Sequence, residues 1–364
     1  MSRHDQAATA TSLSLDPAQG RIVTSAIWGC VDQLIDQATT LTDLIEHRLE
    51  LLAARRWRAL GEAVPAELVE RERGAALMTI TAPLLLEKIR LAFAGPIVLF
   101  KGPEVATRYP DPSLRPYGDL DILVPDARAA QEALIAAGFQ ELGDPALFVD
   151  IHHLRPLALP PFPLLVEVHA RPKWIDALEP PPAAELIAAA VPSRLDVDGI
   201  STLRPDHHAL VLVAHAWGHE PLRRISELVD VAAMTENLDR DELQTLARKW
   251  KMERVWNTTL ATADALLSND STPEPLPLRL WARNLPSTRS RTVFESHLER
   301  WIAGFWALPV RAALRAAASS AVRSFAPEEG ETWGEKLART RLAFRNASTP
   351  RSEHDRALEE RRRR

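Results

Sequence analysis

The chain has 364 residues, 46% hydrophobic and 26% charged, which is the composition of a folded globular protein and excludes disorder throughout. Its single cysteine, Cys30, excludes a disulfide framework and any zinc site built on cysteine pairs, and it suits a reducing compartment, so a cytoplasmic protein is expected. Lys and Arg number 44 against 49 Asp and Glu, a net charge of −5 with no global pull on long nucleic acid, and no apolar run reaches the ~18 residues of a membrane span, so both are disfavoured as partners.

Residues 1–15 are polar and read as a disordered tail, followed by a helical region over 16–94. Its first helix is expected where Asp16 can cap and Pro17 can take the first helical position. The apolar spacing predicts a second helix over 42–60 and a third over 65–93, with Pro83 as a kink or break. At Gly95 the pattern changes. Pro96-Ile97-Val98-Leu99-Phe100 is a continuous apolar run, as in a buried strand, and Lys101-Gly102-Pro103 ends it. A second strand is expected over 119–124, a helix over 126–137 stopped by Gly138, and further strands over 148–151 and 164–168. The proline-rich stretch 156–163 reads as a surface loop. Residues 95–204 therefore form a sheet-bearing core. Helical periodicity returns over 205–347, with helices at 206–219, 224–234, 241–250 and 253–267, and 348–364 is a charged tail. The fold class is α+β, a mixed sheet with helices before and after it.

The chemistry concentrates between Phe100 and Val124. Strand residues i and i+2 point to one face, so Asp119 and Asp121 present two carboxylates about 6.6 Å apart along the chain. Such a pair suits Mg²⁺, which takes one or two carboxylates together with water and substrate phosphates. A third acid, Glu167, lies in the apolar run Leu164-Leu165-Val166-Glu167-Val168-His169, where an unligated carboxylate would be costly. Three acids on adjacent strands would form a cradle for two cations.

These segments resemble a known family. Leu99-Phe100-Lys101-Gly102, Tyr109-Pro110-Asp111-Pro112, Arg115-Pro116-Tyr117-Gly118-Asp119-Leu120-Asp121-Ile122-Leu123-Val124 and Val166-Glu167-Val168-His169 are similar to the uncharacterised bacterial nucleotidyltransferases of the DNA polymerase beta superfamily. A looser resemblance extends to 222–232. The resemblance implies a minimal nucleotidyltransferase fold with Asp119 and Asp121 as metal ligands, Glu167 as the third acid and Gly102 in the turn under a triphosphate. It implies an NTP substrate and Mg²⁺, with two ions. Where the broader superfamily has Ser after this glycine, the chain has Pro103, with neither hydroxyl nor N–H, so Lys101 and Arg115 are expected to supply phosphate contacts. Gly118, His169 and His219 complete the expected nucleotide-binding set.

The remaining candidates have plainer readings. His215 and His219 share a helical face, but no Glu follows His215 as in zinc proteases, so they read as core or cleft-lining residues with His219 also open to nucleotide. His169 shares a strand face with Glu167 and can orient it or touch substrate. Asp230 reads as a helix-packing salt-bridge partner of Arg223 and Arg224, or as an acid facing the cleft. Trp250, Trp256, Trp301 and Trp306 read as core or interface anchors rather than base-stacking platforms, and Cys30 as buried. The sequence thus predicts a Mg²⁺-dependent nucleotidyltransferase moving a nucleoside monophosphate from an NTP to an acceptor hydroxyl, the acceptor being a small molecule, a peptide or a protein. Two alternatives use the same scaffold: a non-catalytic nucleotide-sensing or protein-binding module, suggested by Pro103, and a phosphotransferase using the same metal site.

Overall fold

The computed structural model describes residues 13–15, 22–24, 26–38, 40–143, 145–148, 152–175, 178–219, 224–267, 292–295, 298, 304–325, 327, 332–345 and 347–350. Two short strands, β1 (Leu13–Leu15) and β2 (Ile22–Thr24), pair antiparallel, so part of the segment expected as tail and helix start is a ribbon. The β-branched run Ile22-Val23-Thr24 favours that pairing, and the first helix, α1 (Ala26–Asp36), starts only after it and buries Cys30. The single helix expected over 42–60 is two, α2 (Leu41–Glu46) and α3 (Glu50–Ala59). Arg48 adopts a left-handed φ of 54° and the Leu49 N–H donates to the Leu44 carbonyl, a closure that ends α2. The next helix, α4 (Ala66–Ala92), runs through Pro83 without ending, because Ala82, Leu85, Leu86 and Ile89 pack it onto the sheet around the proline.

The core begins with β3 (Ile97–Leu99), the short helix α5 (Pro103–Ala106), a 3₁₀ turn at Pro112–Leu114 and β4 (Asp119–Leu123). Asp126 caps α6 (Ala127–Ala136) as its sequence position suggested, its Oδ1 accepting the Ala129 N–H at 3.0 Å. After β5 (Gln140–Glu141) the strand expected over 148–151 is not found: Pro145–Phe148 is a 3₁₀ turn, and 149–151 lie outside the described residues. The proline-rich stretch is also more than a loop. It contains β6 (Leu157–Ala158), two residues that keep their N–H groups between flanking prolines and pair with both β5 and β7 (Leu165–His169). The chain continues through α7 (Ala183–Ala188), β8 (Val191–Pro192) and β9 (Ile200–Thr202). Four helices follow close to their expected positions: α8 (Pro205–His219), α9 (Ile225–Thr235), α10 (Arg240–Lys249) and α11 (Glu253–Leu267). The described C-terminal helices are α12 (Gly304–Ala307), α13 (Val310–Phe325) and α14 (Trp333–Arg345).

Seven strands form one mixed sheet in the order β5-β6-β7-β4-β3-β9-β8. At its centre β4 runs parallel to β7 and antiparallel to β3. One face, carrying Leu99, Leu120, Ile122, Val166 and Val168, packs on α4 and α6. The other face places Val98, Phe100 and Leu123 in a core with α8 and the helices behind it, where Trp250 and Trp256 are buried as core anchors. A third cluster joins α1, α2 and α3 to α9 and α11. Among the described residues no helix is long and apolar enough to cross a membrane.

Candidate active site

Register between β4 and β7 builds the site. Asp119 lies opposite Leu165, Asp121 opposite Glu167 and Leu123 opposite His169. Because both strands alternate faces in phase, Asp119, Asp121, Glu167 and His169 belong to the face that also carries Leu123 and Phe100. That face is therefore apolar where α8 covers it and acidic farther along β4.

Asp121 is fully buried and holds two partners on one oxygen. Its Oδ1 lies 2.8 Å from Lys101 Nζ and accepts the His169 Nε2–H at 2.9 Å. Burial alone would raise the Asp121 carboxyl, but the Lys101 ammonium and the His169 hydrogen bond hold it well below the usual carboxylate range. Its other oxygen, Oδ2, is buried with no hydrogen-bond partner. His169 responds in kind: burial opposes its charge, yet its bonds to Asp121 and Glu167 raise its pKa. Glu167 Oε2 lies 3.5 Å from His169 Nε2 and 3.8 Å from His153 Nε2; burial is the largest single influence and raises its carboxyl, but His169 and His153 together lower it. Asp119 goes the other way, raised by burial and by the neighbouring charge of Asp121. His152, beside His153 and His169, is lowered to about 3 by burial and then by the charge of His169.

The turn before β4 is fixed by steric need and by one long-range ion pair. Gly102 has φ 54°, and a Cβ on it would lie 2.6 Å from the Asp119 carbonyl oxygen, so glycine alone lets β3 turn this close to β4. Pro103 takes the first position of α5, where its missing N–H costs nothing. Arg115 grips Asp230 on α9 through two hydrogen bonds of 2.8 Å, and its Nη1 donates to the Gly102 carbonyl at 3.2 Å. The Tyr109 hydroxyl donates to the same Asp230 at 2.8 Å. Asp230 therefore pairs with Arg115 and Tyr109, and Arg115 ties α9 to the glycine turn. Behind the turn, His208 Nε2–H donates to the Phe100 carbonyl at 2.6 Å from α8.

Of the residues singled out from sequence, the fold brings together Lys101, Gly102, Arg115, Asp119, Asp121, Glu167 and His169. Gly118 sits at the start of β4, its carbonyl accepting the Leu165 N–H at 3.1 Å. His219 closes α8, but its side chain lies outside the described residues. His215 does reach the site, with Nε2 3.5 Å from Lys101 Nζ. Sequence reading gave no weight to His153 beside Glu167 or to His208 behind Phe100; doublets of histidine carry no spacing signal, and both contacts are made across the chain.

Asp121, Glu167 and His169 each offer a donor atom, all within 4.8 Å of one another, an arrangement able to hold a metal ion. The site fits a hard cation on two counts, its carboxylate oxygens and the buried Asp121 oxygen left without a partner. Mixed sheet, flanking helices and acidic cluster together define an α+β protein of nucleotidyltransferase type. A family profile described as an uncharacterised nucleotidyltransferase matches residues 34–268, and the chain belongs to that family. No curated protein and no solved structure matches it.

Proposed function

We propose that the protein is a cytoplasmic, Mg²⁺-dependent nucleotidyltransferase that moves a nucleoside monophosphate from an NTP onto an acceptor hydroxyl and releases pyrophosphate. The observation that carries this reading is the register of β4 on β7, which sets Asp121 directly opposite Glu167 with Asp119 two residues away on the same face, beside the Gly102 turn. Asp119, Asp121 and Glu167 would hold two cations. Bound there, Mg²⁺ would supply charge neutralisation for an in-line phosphoryl displacement. His169 orients Asp121 by a hydrogen bond and lies 3.5 Å from Glu167. Gly102 keeps the backbone low enough for a triphosphate to approach, and Arg115 holds that turn in place from Asp230. Lys101 faces the phosphate side of the cluster, with Gly118 and His219 completing the nucleotide-binding set, and one of the acids takes the proton of the acceptor hydroxyl. The acceptor is a small molecule, a peptide or a protein rather than a long nucleic acid, in keeping with the net charge of −5.

The test is turnover of NTP with each of the common nucleotides, read as pyrophosphate release and as the mass added to acceptors in a cell extract. Asp119→Asn/Asp121→Asn should lose at least about a thousandfold in rate. Undiminished turnover by the folded double variant contradicts the assignment. The occupied Asp121 oxygen and Pro103 favour a second reading, a nucleotide-sensing module without turnover. Tight nucleotide binding with no pyrophosphate released would select it, whereas γ-phosphate transfer would select a phosphotransferase.

A further inference from the structure

One oxygen of Asp121 already holds a cation of the chain's own. Lys101 Nζ lies 2.8 Å from Asp121 Oδ1, and with side-chain exposures of 14% and 0% the pair is little screened by water. The same oxygen accepts from His169, while Oδ2 has no hydrogen-bond partner. The Lys101 ammonium on Oδ1 leaves the oxygen-rich cluster partly neutralised before any metal arrives. Lys101 ends a four-carbon stem on the residue before Gly102, so its ammonium can leave Asp121 without backbone movement. His215 Nε2, 3.5 Å from Nζ, lies on the α8 side of that ammonium.

We infer that Lys101 is a built-in counter-cation that competes with a divalent ion for Asp121, so that the cluster takes up a metal–triphosphate complex in preference to free metal ion. The inference rests on the reading of Asp119, Asp121 and Glu167 as the metal-holding acids. A free divalent ion entering the cluster meets a like charge on its own ligand and gives the displaced ammonium no anion in return. A triphosphate arriving with its metal supplies that anion, because the released Lys101 pairs with phosphate oxygens as a point charge. Methionine in place of Lys101 keeps the apolar stem and removes the charge, leaving the carboxylates open to the ion.

Mn²⁺ is the probe, titrated into the full chain with free ion followed by electron paramagnetic resonance. Lys101→Met should bind Mn²⁺ at least about tenfold more tightly than the parent, and Lys101→Arg should stay within about threefold of it. The parent should also bind the Mn²⁺ complex of α,β-methylene-ATP at least about tenfold better than Mn²⁺ alone, with the gap narrowing in Lys101→Met. Thermal unfolding identifies folded variants, and Lys101→Gln carries the same test should Lys101→Met not fold. Equal or weaker Mn²⁺ binding by the folded neutral variants, or an unchanged gap, overturns the inference: Lys101 would then order Asp121 rather than compete for it. Failure of the underlying reading has another signature. Mn²⁺ binding that survives Asp121→Asn, or that no variant shows, removes the acids as the metal site and the inference with them.

Discussion

The two faces of the central sheet use one strand for opposite purposes. On β4, Leu120 and Ile122 face α4 and α6 in a dry core, while Asp119 and Asp121 face the other way into a cluster of charges. Leu120, Ile122 and Asp121 are equally inaccessible to solvent, each 0% exposed, yet two are held by packing and one by ion pairing. Burial therefore does not separate core from site; chemistry and partner do. The apolar face is forgiving of any well-packed side chain, whereas the acidic face needs each specific partner because an unpaired buried charge is costly.

The largest expected difference lies in Arg115. Its grip on Asp230 is buried, so Arg115→Met should destabilise the fold by about 3–5 kcal/mol in denaturant unfolding, with part regained in Arg115→Met/Asp230→Leu. Unaltered stability with lost nucleotide affinity would place Arg115 on phosphate instead of on the turn. Next comes the dry face. Ile122→Ala should cost about 3 kcal/mol by opening a cavity against α4 and α6, while the folded fraction keeps its nucleotide affinity. Loss of affinity there would mean that the two faces are not independent.

A smaller effect belongs to His208, which is buried and neutral behind Phe100. Burial lowers its pKa to about 4, below the usual 6.5. Between those values the unfolded chain binds a proton that the folded chain refuses, so stability is present above pH 6.5 and falls as pH drops toward 4. From pH 7 to pH 5 the loss attributable to this group is about 2 kcal/mol. Denaturant midpoints of His208→Gln across that range should show a correspondingly shallower acid slope, and an identical slope would remove His208 as the cause.

What was legible in the sequence was local. The Asp119–Asp121 alternation, the apolar run into Gly102, the cap at Asp126 and the helices from α8 to α11 all follow from period or from short-range hydrogen bonding, and the structure has them. Features that join distant segments were not legible. Arg115 and Asp230 are separated in sequence by 115 residues, and nothing in the spacing of Asp230 distinguishes Arg115 from the arginines just before α9. The nearness of Lys101 to Asp121 depends on the antiparallel pairing of β3 with β4, which a run of apolar residues does not specify. The misread elements are short ones set by tertiary context: β6 between prolines, the 3₁₀ turn at Pro145–Phe148 and the left-handed break at Arg48. Asp119, Glu167 and His169 were found from the strand pattern; His153 and His208 were not, because histidine is common in both core and cleft.

Whether the acidic face is a metal–nucleotide site is decided by the anomalous scattering of a crystal grown with Mn²⁺ and α,β-methylene-ATP. A peak among the Asp119, Asp121 and Glu167 carboxylates, with the triphosphate against the Gly102 turn, is expected. A nucleotide bound elsewhere, or no ion at these carboxylates while the triphosphate is in place, would contradict it.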